Sequence, residues 1–109
     1  MQATSPREFF EKVLPLRFKA DKAAGVDVIV QVNITGSNGG SWTAKVKDQT
    51  LEVAEGVYAS PTLTLQMADR DFVELVNGKL SPEKAFFTGK IQFKGDIALA
   101  LKLRETGFL

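Results

Sequence analysis

Asp69, Asp71 and Glu74 put three carboxylates within six positions of one another, the residue type that glycosidases and metal hydrolases use in pairs. The same spacing at the start of a helix has a simpler reading, since acids there cap free amides and complement the helix dipole. Lys45, Lys47, Lys90 and Lys94 offer a basic patch, or else solvated strand lysines that discourage edge pairing. Asn38-Gly39-Gly40 lacks the lysine and hydroxyl of a phosphate loop and precedes a strand instead of a helix, so no nucleotide site is expected. The chain has no cysteine and no histidine. Disulfides, thiolate nucleophiles, sulfur-ligated metals, the usual zinc ligand and the commonest general base all drop out with them. The expectation is a protein that is not an enzyme and needs neither metal nor cofactor.

The elements that must position these side chains follow from the periodicity. Ser5-Pro6-Arg7-Glu8 opens a helix with a hydroxyl cap, a proline that needs no donor and an acid that completes a capping box. Phe9, Phe10, Val13 and Leu14 follow at helical spacing. Pro15 is expected to end or kink this helix near Leu14, with a second helical piece over 16–24 before Gly25. From Asp27 the period becomes two: Val28, Val30, Val32 and Ile34 on one face, with Gln31, Asn33 and Thr35 on a wet one. Trp42, Ala44 and Val46, then Leu51 and Val53 beyond a tight turn at Asp48-Gln49, extend an antiparallel meander. The connection over 55–61 leads to a fourth strand carrying Leu63, Leu65 and Met67.

Asp69 is placed as the cap of a helix whose apolar face is Phe72, Val73, Leu75 and Val76, closed by Asn77-Gly78. Ser81-Pro82-Glu83 repeats the first opening before Ala85, Phe86 and Phe87. Ile91 and Phe93 alternate as a fifth strand. Asp96 then caps a helix carrying Ile97 and Leu101 on one side and Leu99 and Leu103 nearly opposite. Such a helix is either sandwiched in the core or rests one face on the sheet and offers the other to a ligand. With 109 residues, the reading is a single α+β domain spanning 1–109, long enough for one core. Fourteen basic against 13 acidic side chains leave no footprint for nucleic acid or an anionic membrane. The start has no basic region followed by an apolar stretch, and no apolar run approaches a membrane span, so a cytoplasmic location is expected.

Met67-Ala68-Asp69-Arg70-Asp71-Phe72, Gly78-Lys79, Pro82, Ala85-Phe86-Phe87, Gly89-Lys90, Gly95 and Leu99-Ala100 with Lys102-Leu103 resemble the second half of the sterol carrier protein 2 lipid-binding domain. Trp42 and the Gly-Gly and Lys47-Asp48 turns are similar to that family as well, although the second hairpin turn lacks its usual glycine. The resemblance implies a five-stranded, mostly antiparallel sheet, helices over one face and an apolar cavity between the layers, and at 109 residues a free-standing member is expected. It further implies non-catalytic binding or transfer of a fatty acid, acyl-CoA, phospholipid or sterol, with membrane contact at most transient. Thr106-Gly107-Phe108-Leu109 differs from the peroxisomal Ser-Lys-Leu address that some members carry. The residues assigned to the lipid are Phe10, Val13, Leu14 and Phe18, and Phe72, Val76, Phe86, Ile97 and Leu101. Arg17 and Lys19 stand as head-group contacts or as an exposed cationic face. The rival reading is a structural or partner-binding module with a filled core, docking through Phe108-Leu109. Ligand identity and oligomeric state stay open.

Overall fold

A computed structural model describes residues 2–108 of the chain. Its first helix begins as the residue types require, with Ser5 Oγ accepting from Glu8 N–H at 3.1 Å and Pro6 in the first turn. The Glu8 carboxylate turns back to Thr4 N–H at 2.9 Å, instead of closing the box on Ser5.

Pro15 does not end this helix. Helix α1 (Pro6–Glu8) widens into a π-helical turn (Phe9–Val13) and continues as α2 (Leu14–Arg17). Leu14 N–H reaches back to the Phe9 carbonyl, so the hydrogen-bond register slips by one residue just before the position with no donor to give. The chain leaves the helix at Phe18, whose backbone is extended. The helical piece expected over 16–24 is therefore the last turn of α2 and a 3-10 turn at Ala20–Lys22.

Strands β1 (Val28–Thr35), β2 (Gly40–Lys47) and β3 (Thr50–Glu55) form the expected antiparallel meander. Strand β4 (Leu63–Ala68) returns to the other side of β1 and runs parallel to it, and β5 (Gln92–Lys94) pairs antiparallel with β4. The order is β3-β2-β1-β4-β5. Register places Val30 between Ala44 and Leu63, and Val32 between Trp42 and Leu65, so the apolar positions of three strands share one face. All of them are buried.

The opposite face is not uniformly wet. Gln31 and Thr43 are buried there under the segment after β3. Gln31 Oε1 accepts from Tyr58 N–H at 2.7 Å and from Thr43 Oγ at 3.2 Å, while its amide nitrogen donates to the Gly56 carbonyl at 3.1 Å. These bonds fasten the segment across the sheet and satisfy the buried amide. Asp48 and Gln49 both adopt positive φ, 52° and 62°, as a two-residue hairpin turn of the I′ kind demands even without glycine.

Helix α3 (Asp69–Val76) buries Phe72, Leu75 and Val76 on the apolar sheet face. Asp69 is its first residue rather than its cap; its carboxylate accepts from Asn38 N–H at 3.0 Å. A side chain at Gly36 would meet that carboxylate at 2.6 Å, which ties the β1–β2 turn closely to the start of α3. Asp71 faces Lys90 at 3.9 Å. Both interactions are structural. Lys45 sits over the Tyr58 ring at 4.9 Å, so Lys45 and Lys90 are drawn to different neighbours.

Candidate functional site

Helix α4 (Pro82–Phe87) starts at Ser81, whose hydroxyl accepts from Lys84 N–H at 3.1 Å. Ala85 is the residue it turns into the core. With Ala85 inward on so short a helix, Phe86 and Phe87 are left facing outward, 50% and 85% exposed. Their rings meet edge to face, 6.2 Å apart. Helix α5 (Ile97–Glu105) starts where Asp96 Oδ1 accepts from Ala98 N–H at 2.8 Å. It divides as its sequence predicts: Leu103 is buried, Leu99 and Ala100 pack partly on the core, and Ile97 and Leu101 remain 55% and 56% exposed.

These outward side chains enclose a groove of about 280 Å³. Val30, Leu63 and Leu65 belong to its sheet side, Phe86 and Phe87 to one helix, and Ile97 and Leu101 to the other. Phe108 and Leu103 also line it. Gly95 allows the β5–α5 junction to lie on β4, since a Cβ there would sit 2.6 Å from Leu63 Cδ2 at a φ of 132°. The charged lining residues are Glu83 and Arg104, paired with each other at 2.5 Å. Glu83 is held below the usual carboxylate range, first by the hydrogen bond from Arg104 and then by a backbone hydrogen bond. The space is a groove with an exposed rim. The apolar cavity expected between the layers is not shown among the described residues.

A larger depression of about 740 Å³ lies at the other edge, between α1–α2 and β3. Its walls carry Arg7, Glu11, Lys12 and Glu55. Arg7 grips Glu55 at 2.7 Å and approaches Glu11 at 3.6 Å. Covering such charges with hydrocarbon would strip them of water for no compensating bond. The smaller groove is the better receptor for an apolar ligand.

The residues assigned from sequence separate accordingly. Phe86, Ile97 and Leu101 come together in the groove. Phe10 and Phe18 line the larger depression. Val13, Leu14, Phe72 and Val76 are closed into the core. Arg17 is half-buried and bonded to backbone: Nε donates to the Gly107 carbonyl at 2.6 Å and a terminal nitrogen to the Val76 carbonyl at 2.8 Å, over the Phe9 ring. Burial lowers its pKa. Lys19 has an exposed side chain, and its N–H donates to the Thr106 carbonyl at 2.7 Å. Phe108 is buried and touches Phe10, which removes it as an external docking residue; Leu109 lies outside the described residues. Phe87, Ile91, Phe93 and the strand floor also line the groove and lie outside the residues assigned from sequence, although alternation places the strand residues inward.

No described helix is long and apolar enough to cross a membrane. The sequence matches the model of the SCP-2 sterol transfer family over residues 10–106. It is 37% identical over 78 residues to hydroxysteroid dehydrogenase-like protein 2 of Rattus norvegicus, a match covering 71% of this chain and 15% of that protein. The chain thus spans only a small part of that curated relative. The fold is similar to the sterol carrier protein domain 2 of Helicoverpa armigera, with a TM-score of 0.73 at 30% identity, over 92% of this chain and 80% of that one. It is also similar to the palmitated SCP2L2 of Aedes aegypti, with a TM-score of 0.65 at 31% identity, over 89% and 93%.

Proposed function

This chain belongs to the SCP-2 sterol transfer family, a family of lipid-binding and lipid-transfer domains, and from that premise we propose that it carries one lipid in the groove between α4 and α5 without chemical turnover. The observation that supports this most is the gathering of Phe86, Phe87, Ile97 and Leu101, four large apolar side chains left half or more exposed around one concave floor. Contiguous exposed apolar surface on a small domain marks a binding site. An alkyl chain laid there gains about 0.8 kcal/mol for each methylene taken out of water. At about 280 Å³ the groove falls just below the usual small-molecule range of about 300–1,000 Å³, which suits a slim acyl chain better than a rigid multi-ring lipid. The palmitated relative supports the same choice.

Displacement titration with a fluorescent fatty acid tests the reading. Saturable binding at one ligand per chain is expected, and no binding up to the solubility limit of the probe would overturn it. Mass spectrometry of gently extracted protein supplies the second measurement, with co-purified acyl lipid the expected result.

A further inference from the structure

We propose that the Arg104–Glu83 pair is a head-group latch: the carboxylate of a bound fatty acid takes the place of Glu83 on the Arg104 guanidinium, so that the groove selects acids over neutral lipids of the same chain length. The inference rests on the groove being the lipid site. Its basis is the composition of the wall, where Arg104 and Glu83 are the charged side chains among otherwise apolar lining residues. A lipid whose tail follows the apolar wall meets one place where a polar head can be received, and that place holds a cation.

The geometry suits exchange. Arg104 and Glu83 are paired at 2.5 Å through one terminal nitrogen of the guanidinium, leaving the rest of the planar fork for a second carboxylate. Their side chains are 39% and 61% exposed, so the pair sits at the solvent rim, where a head group would emerge. An exposed ion pair contributes little in water, and Glu83 can be hydrated once released. A ligand carboxylate anchored by its own tail is presented to the arginine at an effective concentration of the same kind as the tethered Glu83 side chain, so the two can exchange. Arg104 also lies three positions beyond Leu101 on α5, so head and tail contacts are on neighbouring turns of one helix.

Palmitic acid and 1-hexadecanol, titrated at pH 8 against the same fluorescent probe, make the test. The acid should bind about tenfold more tightly than the alcohol. Arg104→Met should bring the ratio of the two dissociation constants close to one, Arg104→Lys should restore a preference for the acid, and Glu83→Gln should raise acid affinity further, about threefold. Circular dichroism and urea midpoints check that each variant is folded, and Glu83→Gln tests the latch without touching the cation. Equal binding of acid and alcohol by the unaltered protein, or a preference that survives Arg104→Met, overturns the latch while leaving the groove as the lipid site. Failure of both ligands to bind overturns the groove and the latch together.

Discussion

Phe10 lies flat against Trp42, with ring centroids 5.0 Å apart and planes 13° from parallel. Phe72 lies nearly parallel to Phe10 as well, at 5.5 Å, and Phe9 meets Phe72 edge to face at 5.4 Å. The helix around Pro15, the second strand and α3 are thereby joined through one aromatic cluster, beside which the larger depression opens. Phe10→Ala should cost about 3–5 kcal/mol, the range for removing a buried phenyl group. Urea denaturation reads the loss, and lipid affinity of the folded fraction should change less than about twofold. Weakened lipid binding at unchanged stability would place the ligand against Phe10 instead.

Arg17 predicts a different kind of loss. Its guanidinium joins the Gly107 carbonyl to the Val76 carbonyl, and so fastens the turn that carries Phe108 to the end of α3. Hydrogen bonds from a charged donor contribute about 1.5–3 kcal/mol. Arg17→Met, which keeps an apolar stem of similar length, should destabilise by about 2 kcal/mol and speed amide exchange at Lys19, whose N–H is bonded to Thr106. Unchanged exchange at Lys19 would show that the turn holds without the arginine.

What was legible in the sequence was local. The Ser5-Pro6 and Ser81-Pro82 openings and the cap at Asp96 need only the residues beside them, and all three side chains cap as their types require. Alternation over β1, β2 and β4 is equally local. Of the two outcomes expected at Pro15, an end or a kink, the end does not occur, because the π-turn that accommodates the proline lies upstream, with Phe9 and Phe10 in the core. Gln31 was misplaced on a wet face because residues 56–58, far along the chain, fold over it. The site divides the same way. Ile97 and Leu101 could be read from a helix apolar on two sides, whereas Phe10, Val13, Leu14, Phe72 and Val76 are the same residue types as the groove wall. Their burial is set by tertiary packing such as that of Phe10 on Trp42 and Phe72, which residue type does not encode.

Glu83 gives a pH dependence with a definite sign. Its carboxyl is depressed in the folded chain, first by the hydrogen bond from Arg104, so the stabilisation it brings is present above the ordinary carboxylate range and is lost as pH falls through the depressed value. Both side chains are too exposed for this to decide overall stability. The local event is the useful one: acidification should release Arg104 from Glu83 before the fold opens. Carboxyl-carbon NMR should show Glu83 titrating below the ordinary range, and Arg104→Met should move its midpoint upward. An identical midpoint in the variant would mean that the pair is not formed in solution.

Leu101 and Leu103 sit about 200° apart around α5 and both line the groove, Leu101 at its exposed rim and Leu103 at its buried wall, so one substitution made at each compares rim with wall. Leu101 is 56% exposed on the groove side, and a tryptophan there has open space to enter that would otherwise receive the acyl chain. Leu101→Trp should weaken lipid binding about tenfold, equivalent to about 1.4 kcal/mol, while changing the unfolding free energy by less than about 0.5 kcal/mol. Leu103 is buried against the core, and Leu103→Trp must displace close-packed neighbours at a cost of about 1–3 kcal/mol. Fluorescence titration and urea midpoints on the same pair of variants separate rim from wall. If Leu101→Trp proved the more destabilising of the two, with lipid affinity intact, the solvent-facing side of α5 would be packed rather than open, and the groove could not lie there.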